Sequence, residues 1–301
     1  MTRVYERRLG PLDARGIPEE REEPENALGA CYGHAWRGLG SGRRWLADTV
    51  ADEPVVTVSQ RRLDPGVDPP GETPATRVLE LLVGGWLEVD TEAGAACYVT
   101  SSAIDPEELV HPYLAAAAGV LCLRRGMECH HAGAFVADGG AWAVLGDREA
   151  GKSTLMAALS RRGLPVLTDE LVAVADGLVQ VGPRLVDLRR PTAEHLGVGE
   201  ALPSVRPGGR WRVPLEPASP APLAGWVHLA WGPQTELRPL GLTERIGRVA
   251  ALGVNRPAET VGLVSLPGFE LVRPATLDSL EATLDLLCGI SARRAERRAA
   301  V

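Results

Sequence analysis

The sequence predicts an α/β protein, a P-loop core preceded by a smaller mixed α+β N-terminal domain. Two observations carry the core. The nine residues Gly146-Asp147-Arg148-Glu149-Ala150-Gly151-Lys152-Ser153-Thr154 fit the phosphate-binding pattern G-x-x-x-x-G-K-[ST]. Around them, Trp142 to Leu145 reads as a short buried strand, and Leu155, Ala158, Leu159 and Arg162 keep helical spacing until Gly163 stops the run. A third observation, alternating runs from Arg77 to Thr100 broken by turn residues, predicts a small antiparallel meander ahead of the core.

Composition bounds the rest. At 301 residues there is length for one large or two modest domains, and the formal charge of −7 argues against a general nucleic-acid binder. Gly (34) and Pro (24) are above their usual share, which predicts many turns. The five cysteines show no paired spacing and read as buried apolar residues in a reducing cytosol. Met1 to Glu25 is charged and has no apolar signal run, and Tyr113 to Leu123 is too short to cross a bilayer, so a cytoplasmic protein without a membrane partner is expected.

Taken in order, residues 1–125 form the N-terminal domain, with the first 25 or so expected to be mobile and a weak strand near Val55 to Val58. Asp105-Pro106-Glu107-Glu108 is a helix start, with an Asp cap and Pro at the first position, and Pro112 is expected to kink or divide that helix. The core domain, 126–301, opens with Ala132 to Ala137 and Ala141 to Leu145 around Asp138-Gly139-Gly140, a hairpin leading into the loop. Leu164 to Thr168 is a strand ending at Asp169-Glu170, and Asp176-Gly177 turns a second hairpin. Residues 203 to 225, with six prolines and Arg206, Arg210 and Arg212, are expected to be a long irregular loop that orders when ligands bind. Strands are expected at Trp226 to Trp231, Glu236 to Leu240 and Val261 to Leu266. Helices are expected at Thr243 to Leu252, capped by Thr243 and ended by Gly253, and at Thr276 to Leu287, before an Arg-rich tail from Ser291.

The chemistry collects around the loop. Its glycines let successive N–H groups turn toward an anion, Lys152 offers a point charge to the outer phosphates, and Ser153 offers a hydroxyl to Mg²⁺. Glu149 is the awkward position: a carboxylate beside a triphosphate must point outward, pair with Arg148 or another cation, or weaken binding. Asp169 and Glu170 follow Lys152 by 17 and 18 residues, at a strand end where a carboxylate can hold Mg²⁺ through water or accept a hydroxyl proton. On an extended chain they would face opposite ways, so both serve the site only if the strand turns there; Arg161, Arg162 or His131 could supply the counter-charge. His130-His131 lies one strand earlier, and Asp187 of Asp187-Leu188-Arg189-Arg190 reads either as part of a Mg²⁺ shell or as a surface ion pair. No Asn-Lys-x-Asp segment for reading guanine is present.

His131, the Asp-Gly hairpin, Gly146 to Thr154, Arg162-Gly163 and Leu167-Thr168-Asp169-Glu170 together resemble the core of the HPr kinase/phosphorylase family, well over residues 129 to 175 and loosely over 183 to 197. The N-terminal part looks more like that of HPr-kinase-like proteins found beside modified-peptide biosynthesis enzymes. The resemblance implies a phosphoenolpyruvate-carboxykinase-like core and an ATP- and Mg²⁺-dependent kinase of a Ser or Thr hydroxyl. It implies His131 as the active-site histidine, Lys152 on the phosphates, Ser153 on Mg²⁺, and Glu170 at the position of the family's proton-accepting Asp. Asp169 falls at the preceding Asp, and Asp187 near the family's Mg²⁺-binding Glu. The chain departs from the pattern at Glu149, a loop Gly in the family, at Glu170, and in the missing glycines after Leu185. Expected partners are a nucleotide and a peptide or small-protein acceptor, with homo-oligomer formation left open. A nucleotide-binding scaffold or sensor, and a kinase of a small hydroxylated metabolite, are the alternatives.

Overall fold

Apolar alternation and turn chemistry produce two compact units in the computed structural model, which describes residues 27–202, 209–251 and 262–290. The N-terminal 25 residues, Arg206, Gly253 and the tail from Ser291 lie outside the described residues.

The first unit holds residues 27–127 and the returning segment Val181–Arg184. Its strands are β1 (Gly29–Cys31), β2 (His34–Arg37), β3 (Val55–Arg62), β4 (Thr76–Glu80), β5 (Trp86–Asp90) and β6 (Ala95–Thr100). They form one sheet in the order β1-β2-β3-β6-β5-β4. The meander β4-β5-β6 is antiparallel, as its turns predict, but β3 joins β6 and β2 joins β3 in parallel, pairings that no local turn signals. Helix α1 (Pro106–Glu108) starts where expected, with the Asp105 carboxylate accepting from the Glu107 N–H at 2.8 Å. The helical path is divided at His111, whose extended backbone precedes the cis bond to Pro112, and α2 (Leu114–Arg124) follows.

Within this unit His34 is buried beside Cys122 and Arg125. Its Nδ1 lies 3.0 Å from the Tyr32 carbonyl, and Arg125 Nη1 lies 3.5 Å from Nε2. Burial, with the Arg125 charge adding to it, lowers its pKa to about 4 against the backbone hydrogen bond and Glu53. A histidine held neutral contributes stability that is present above its unfolded pKa near 6.5 and lost as pH falls through about 4. Acid should therefore cost this unit on the order of 2–3 kcal/mol between neutral pH and pH 4. His34→Gln should flatten that slope in urea melts taken across the range; an unchanged slope would contradict the burial argument.

The second unit contains the remaining strands: β7 (Glu128–His131), β8 (Gly133–Ala137), β9 (Gly140–Leu145), β10 (Val166–Thr168), β11 (Leu171–Ala175), β12 (Leu178–Val179), β13 (Leu185–Leu188), β14 (Glu200–Leu202), β15 (Arg210–Pro214), β16 (Ala221–Trp231), β17 (Glu236–Pro239) and β18 (Gly268–Arg273). Its helices are α3 (Lys152–Arg161), α4 (Arg190–Leu196), α5 (Leu242–Ala251) and α6 (Leu280–Cys288). Nine strands make a mixed sheet, β10-β8-β9-β16-β12-β11-β7 with β18 and β17 added beyond β16, and β13-β15-β14 make a second, smaller one. The two predicted hairpins close on Asp138-Gly139 and Asp176-Gly177, all four residues at positive φ as a two-residue turn of this hand requires.

Strand direction decides where chemistry can gather. β16 is parallel to β9 and to β18, while β8 is antiparallel to both β9 and β10, so two reversals leave β10 running with β9. The carboxyl ends of β9, β10, β16 and β18 thus lie along one edge. Apolar residues of α3, α6 and both sheets, Phe135, Leu155, Leu159, Val186, Val227, Leu271 and Leu284 among them, share the core beneath that edge.

Several expectations are corrected. Residues 210–214 and 221–225, expected within an irregular loop, are strand; Pro sits at strand ends there, and β15 alternates well enough to pair with both β13 and β14. Residues 262–265, expected as strand, are helical, and the strand follows as β18, whose apolar residues alternate with Glu270. Thr243 lies inside α5 rather than capping it; the Glu244 carboxylate instead accepts from the Gly241 N–H at 2.9 Å. Among the described residues no helix is long and apolar enough to cross a membrane.

Candidate active site

At the edge defined by those strand ends, residues 146–151 link β9 to α3. Gly151 is the cap residue of α3, at φ 84°, and no side chain caps the helix. The first N–H groups of α3 are therefore left to an external acceptor, with the positive end of the helix dipole behind them. At the far end Gly163 takes φ 81°, and the Leu164 N–H closes on the Leu159 carbonyl at 3.1 Å, the stop its sequence predicts.

Lys152 is buried, with Nζ donating to the carbonyls of Gly146 at 2.7 Å and Asp147 at 3.1 Å. Burial lowers its pKa, against the pull of Glu170, Asp169 and Asp147. Those three acids are near enough for their charges to act on the ammonium.

Glu149 stands at φ 67°, a left-handed conformation that glycine adopts freely and a side chain only at a cost. Its carboxylate is exposed and paired with Arg189, at the start of α4, rather than with Arg148. That pairing, with solvent screening, weakens the repulsion its position suggests.

The chain leaves extended geometry after Thr168, and β11 begins at Leu171, so Asp169 and Glu170 sit in a bend rather than on opposite faces of a continuing strand. Asp169 is only 4% exposed, and neither carboxylate oxygen accepts a hydrogen bond. Burial pushes its pKa up to about 8, helped by the charges of Glu170 and Asp187. The Ser153 hydroxyl and Lys152 pull the other way, but Ser153 lies beside the carboxylate without reaching hydrogen-bond geometry. Glu170 is partly exposed. His131 Nδ1 lies 3.1 Å from its carbonyl oxygen, close enough for a ring N–H to donate, and 3.6 Å from its Oε1.

His131 is thus the counter-group beside Glu170. Arg161 donates to the Leu196 carbonyl, and Arg162 pairs with Glu281 and Asp285 of α6, so neither arginine attends the acids. His130, pointing to the opposite face, is buried; neither ring nitrogen is hydrogen-bonded, and Nε2 lies 4.0 Å from Glu128 Oε2. Asp187 is no surface residue. It is buried on β13, and its two oxygens accept from Arg212 Nε at 2.9 Å and Nη2 at 3.1 Å. Arg212, expected on a mobile loop, is therefore a fixed core residue 2% exposed.

The structure brings one further residue to the loop. Arg273, the last residue of β18, donates from Nη2 to the Ala150 carbonyl at 2.7 Å and lies over the Trp231 ring at 4.4 Å. No motif marks it; the only sequence signal is a basic residue at the carboxyl end of a strand.

These elements define a mixed α/β protein with a strand–loop–helix edge that gathers unsatisfied backbone donors, a buried lysine and a buried, unpartnered acid. No family model matches the chain, and no curated protein matches it. Among solved structures it is similar to the Hpr(Ser) kinase/phosphatase from Coxiella burnetii, at 10% identity and a TM-score of 0.29, over 55% of this chain and 97% of that one. With a score that low, the likeness adds nothing to what the residues of the site show.

The Asp169 geometry predicts a stability cost. An acid whose pKa is raised in the folded state contributes stability that is full below its unfolded value, near 3.8, and is lost as pH rises through about 8. Asp169→Asn removes the titration, so it should raise stability by ~1–3 kcal/mol at pH 8 and by almost nothing at pH 4. Thermal melts at the two pH values test this; a variant less stable than native at pH 8 would contradict it.

Proposed function

We propose that this chain binds Mg²⁺-ATP at residues 146–154, a P-loop, and transfers the γ-phosphate to a Ser or Thr hydroxyl of a peptide or small protein. The observation that carries this reading is the Asp169 carboxylate: buried, without a donor, and beside both Lys152 and Ser153. A buried carboxylate is ordinarily hydrogen-bonded or coordinated to a cation. Among the described residues no group of three or more His, Cys, Asp or Glu side chains is placed to hold a metal ion. One orphaned carboxylate and one adjacent hydroxyl suit Mg²⁺, which takes few protein ligands and completes its shell with water and substrate phosphate.

When bound, Mg²⁺ would neutralise charge on the transferring phosphate. Ser153 and Asp169 are the residues that would hold it. Asp187, both of whose oxygens already accept from Arg212, lends its charge to Asp169's surroundings unless it exchanges that arginine for the cation. The N–H groups of the loop and of α3 cradle the phosphates, and Lys152 turns its ammonium from the Gly146 and Asp147 carbonyls to the outer phosphates. Glu170, at the rim and partly exposed, is placed to accept the acceptor's hydroxyl proton, with His131 orienting it. The chemistry asked of the protein is positioning and charge stabilisation.

Lys152→Ala should weaken Mg²⁺-ATP binding roughly a hundredfold, the usual loss on deleting a charged phosphate contact. Glu170→Gln should leave that affinity nearly intact and slow transfer by ~10²–10⁴. Calorimetry gives the first, and labelled ATP with candidate acceptor peptides the second. Equal affinity in Lys152→Ala would remove the P-loop reading. Tight ATP binding with no transfer to any peptide would favour the sensor, and transfer to a small hydroxylated compound instead would move the acceptor class.

A further inference from the structure

Arg273 is a buried cation with no acid to pair with. It is 4% exposed, and among the described residues no carboxylate forms an ion pair with it. Its Nε has no partner. Burial lowers its pKa only to about 10, so the charge persists at neutral pH. Such a charge needs either a counter-anion or a reason for its place.

Its contacts give the reason. Arg273 and Trp231 are cross-strand partners at the ends of parallel β18 and β16, and the Gly232 N–H donates to the Arg273 carbonyl at 3.0 Å, fixing the strand end. The half-exposed indole supports the guanidinium at 4.4 Å. From there Nη2 reaches the Ala150 carbonyl at 2.7 Å, across 123 residues of sequence. Ala150 C=O and Gly151 N–H belong to one trans peptide, so they point in opposite directions. Holding the oxygen from behind aims the N–H away from the arginine, and that N–H has no partner among the described residues. The approach is close: a Cβ on Gly151 would lie 2.5 Å from Arg273 Nη2 and 3.7 Å from the Trp231 ring. Glycine is needed at 151 for this guanidinium as well as for its φ of 84°.

We propose that Arg273, stacked on Trp231, is a positioning residue for polyphosphate binding: it fixes the Ala150–Gly151 peptide so that the Gly151 N–H faces the phosphates, and it places an uncompensated positive charge behind them. The inference rests on the P-loop reading. Arginine suits the task because its planar fork stacks and donates at once, which an ammonium does not do.

The test compares Mg²⁺-ATP affinity by calorimetry in the native chain, Lys152→Ala, Arg273→Gln, Arg273→Lys and Arg273→Ala, with thermal midpoints measured alongside. Arg273→Gln should bind ~10-fold or more weakly, and Arg273→Lys ~3–10-fold. Added guanidinium should restore part of the affinity of Arg273→Ala, while sodium chloride at equal ionic strength should not; a purely structural role would move the midpoint without this selectivity. Native affinity in Arg273→Gln, with binding lost in Lys152→Ala, would overturn the proposal and leave the P-loop reading standing. If Arg273→Gln fails to fold, Arg273→Lys decides, and native affinity there overturns it. Failure of the native chain to bind Mg²⁺-ATP would remove both.

Discussion

The site of the second unit is arranged around a buried carboxylate whose charge burial disfavours. Asp169 is buried, neither of its oxygens is hydrogen-bonded, and burial and the charges of Glu170 and Asp187 raise its pKa against the Ser153 hydroxyl and Lys152. Left to itself such a group would cost stability until it protonated or turned outward. Burial favours its protonated form, and the short bend between β10, which ends at Thr168, and β11, which resumes at Leu171, keeps it from turning outward. On the proposed reading, that acid would take a Mg²⁺ ion that arrives with phosphate, next to Ser153 and Lys152.

The neighbouring polar residues differ in how they are satisfied, and the contrast is informative. Asp187 and Arg212 form a two-pronged buried pair that joins β13 to β15. Glu149 and Arg189 pair in solvent, where the interaction is weak and the carboxylate is kept off the loop. Lys152 rests on backbone carbonyls that a phosphate would outcompete.

Much of this was legible in the sequence wherever structure is local. Asp-Gly turns, the strand before Gly146, the stop at Gly163 and the Asp105 cap all follow from residues a few positions apart, and the structure places them accordingly. The bend at Asp169-Glu170 could be stated only as a condition, because nothing local distinguishes a strand that stops from one that continues. Long-range pairing was not legible. Prolines around β15 suggested a loop, yet Asp187 gave Arg212 a buried partner and the strand formed around that pair. Val261 to Leu266 offered an apolar run whose period is ambiguous, and the strand began only at Gly268. Arg273 carries no motif, and its link to Ala150 exists only once β9, β16 and β18 lie side by side.

The most direct measurement of the central claim is proton release. If Asp169 is largely protonated at neutral pH and becomes a ligand, binding of Mg²⁺-nucleotide must expel its proton. Calorimetry at pH 7 in buffers of different ionisation enthalpy reads that number. The account predicts release approaching about one proton per nucleotide bound with Mg²⁺, and much less for Asp169→Asn under the same conditions. No release by the native chain, or the same release by both proteins, would contradict it.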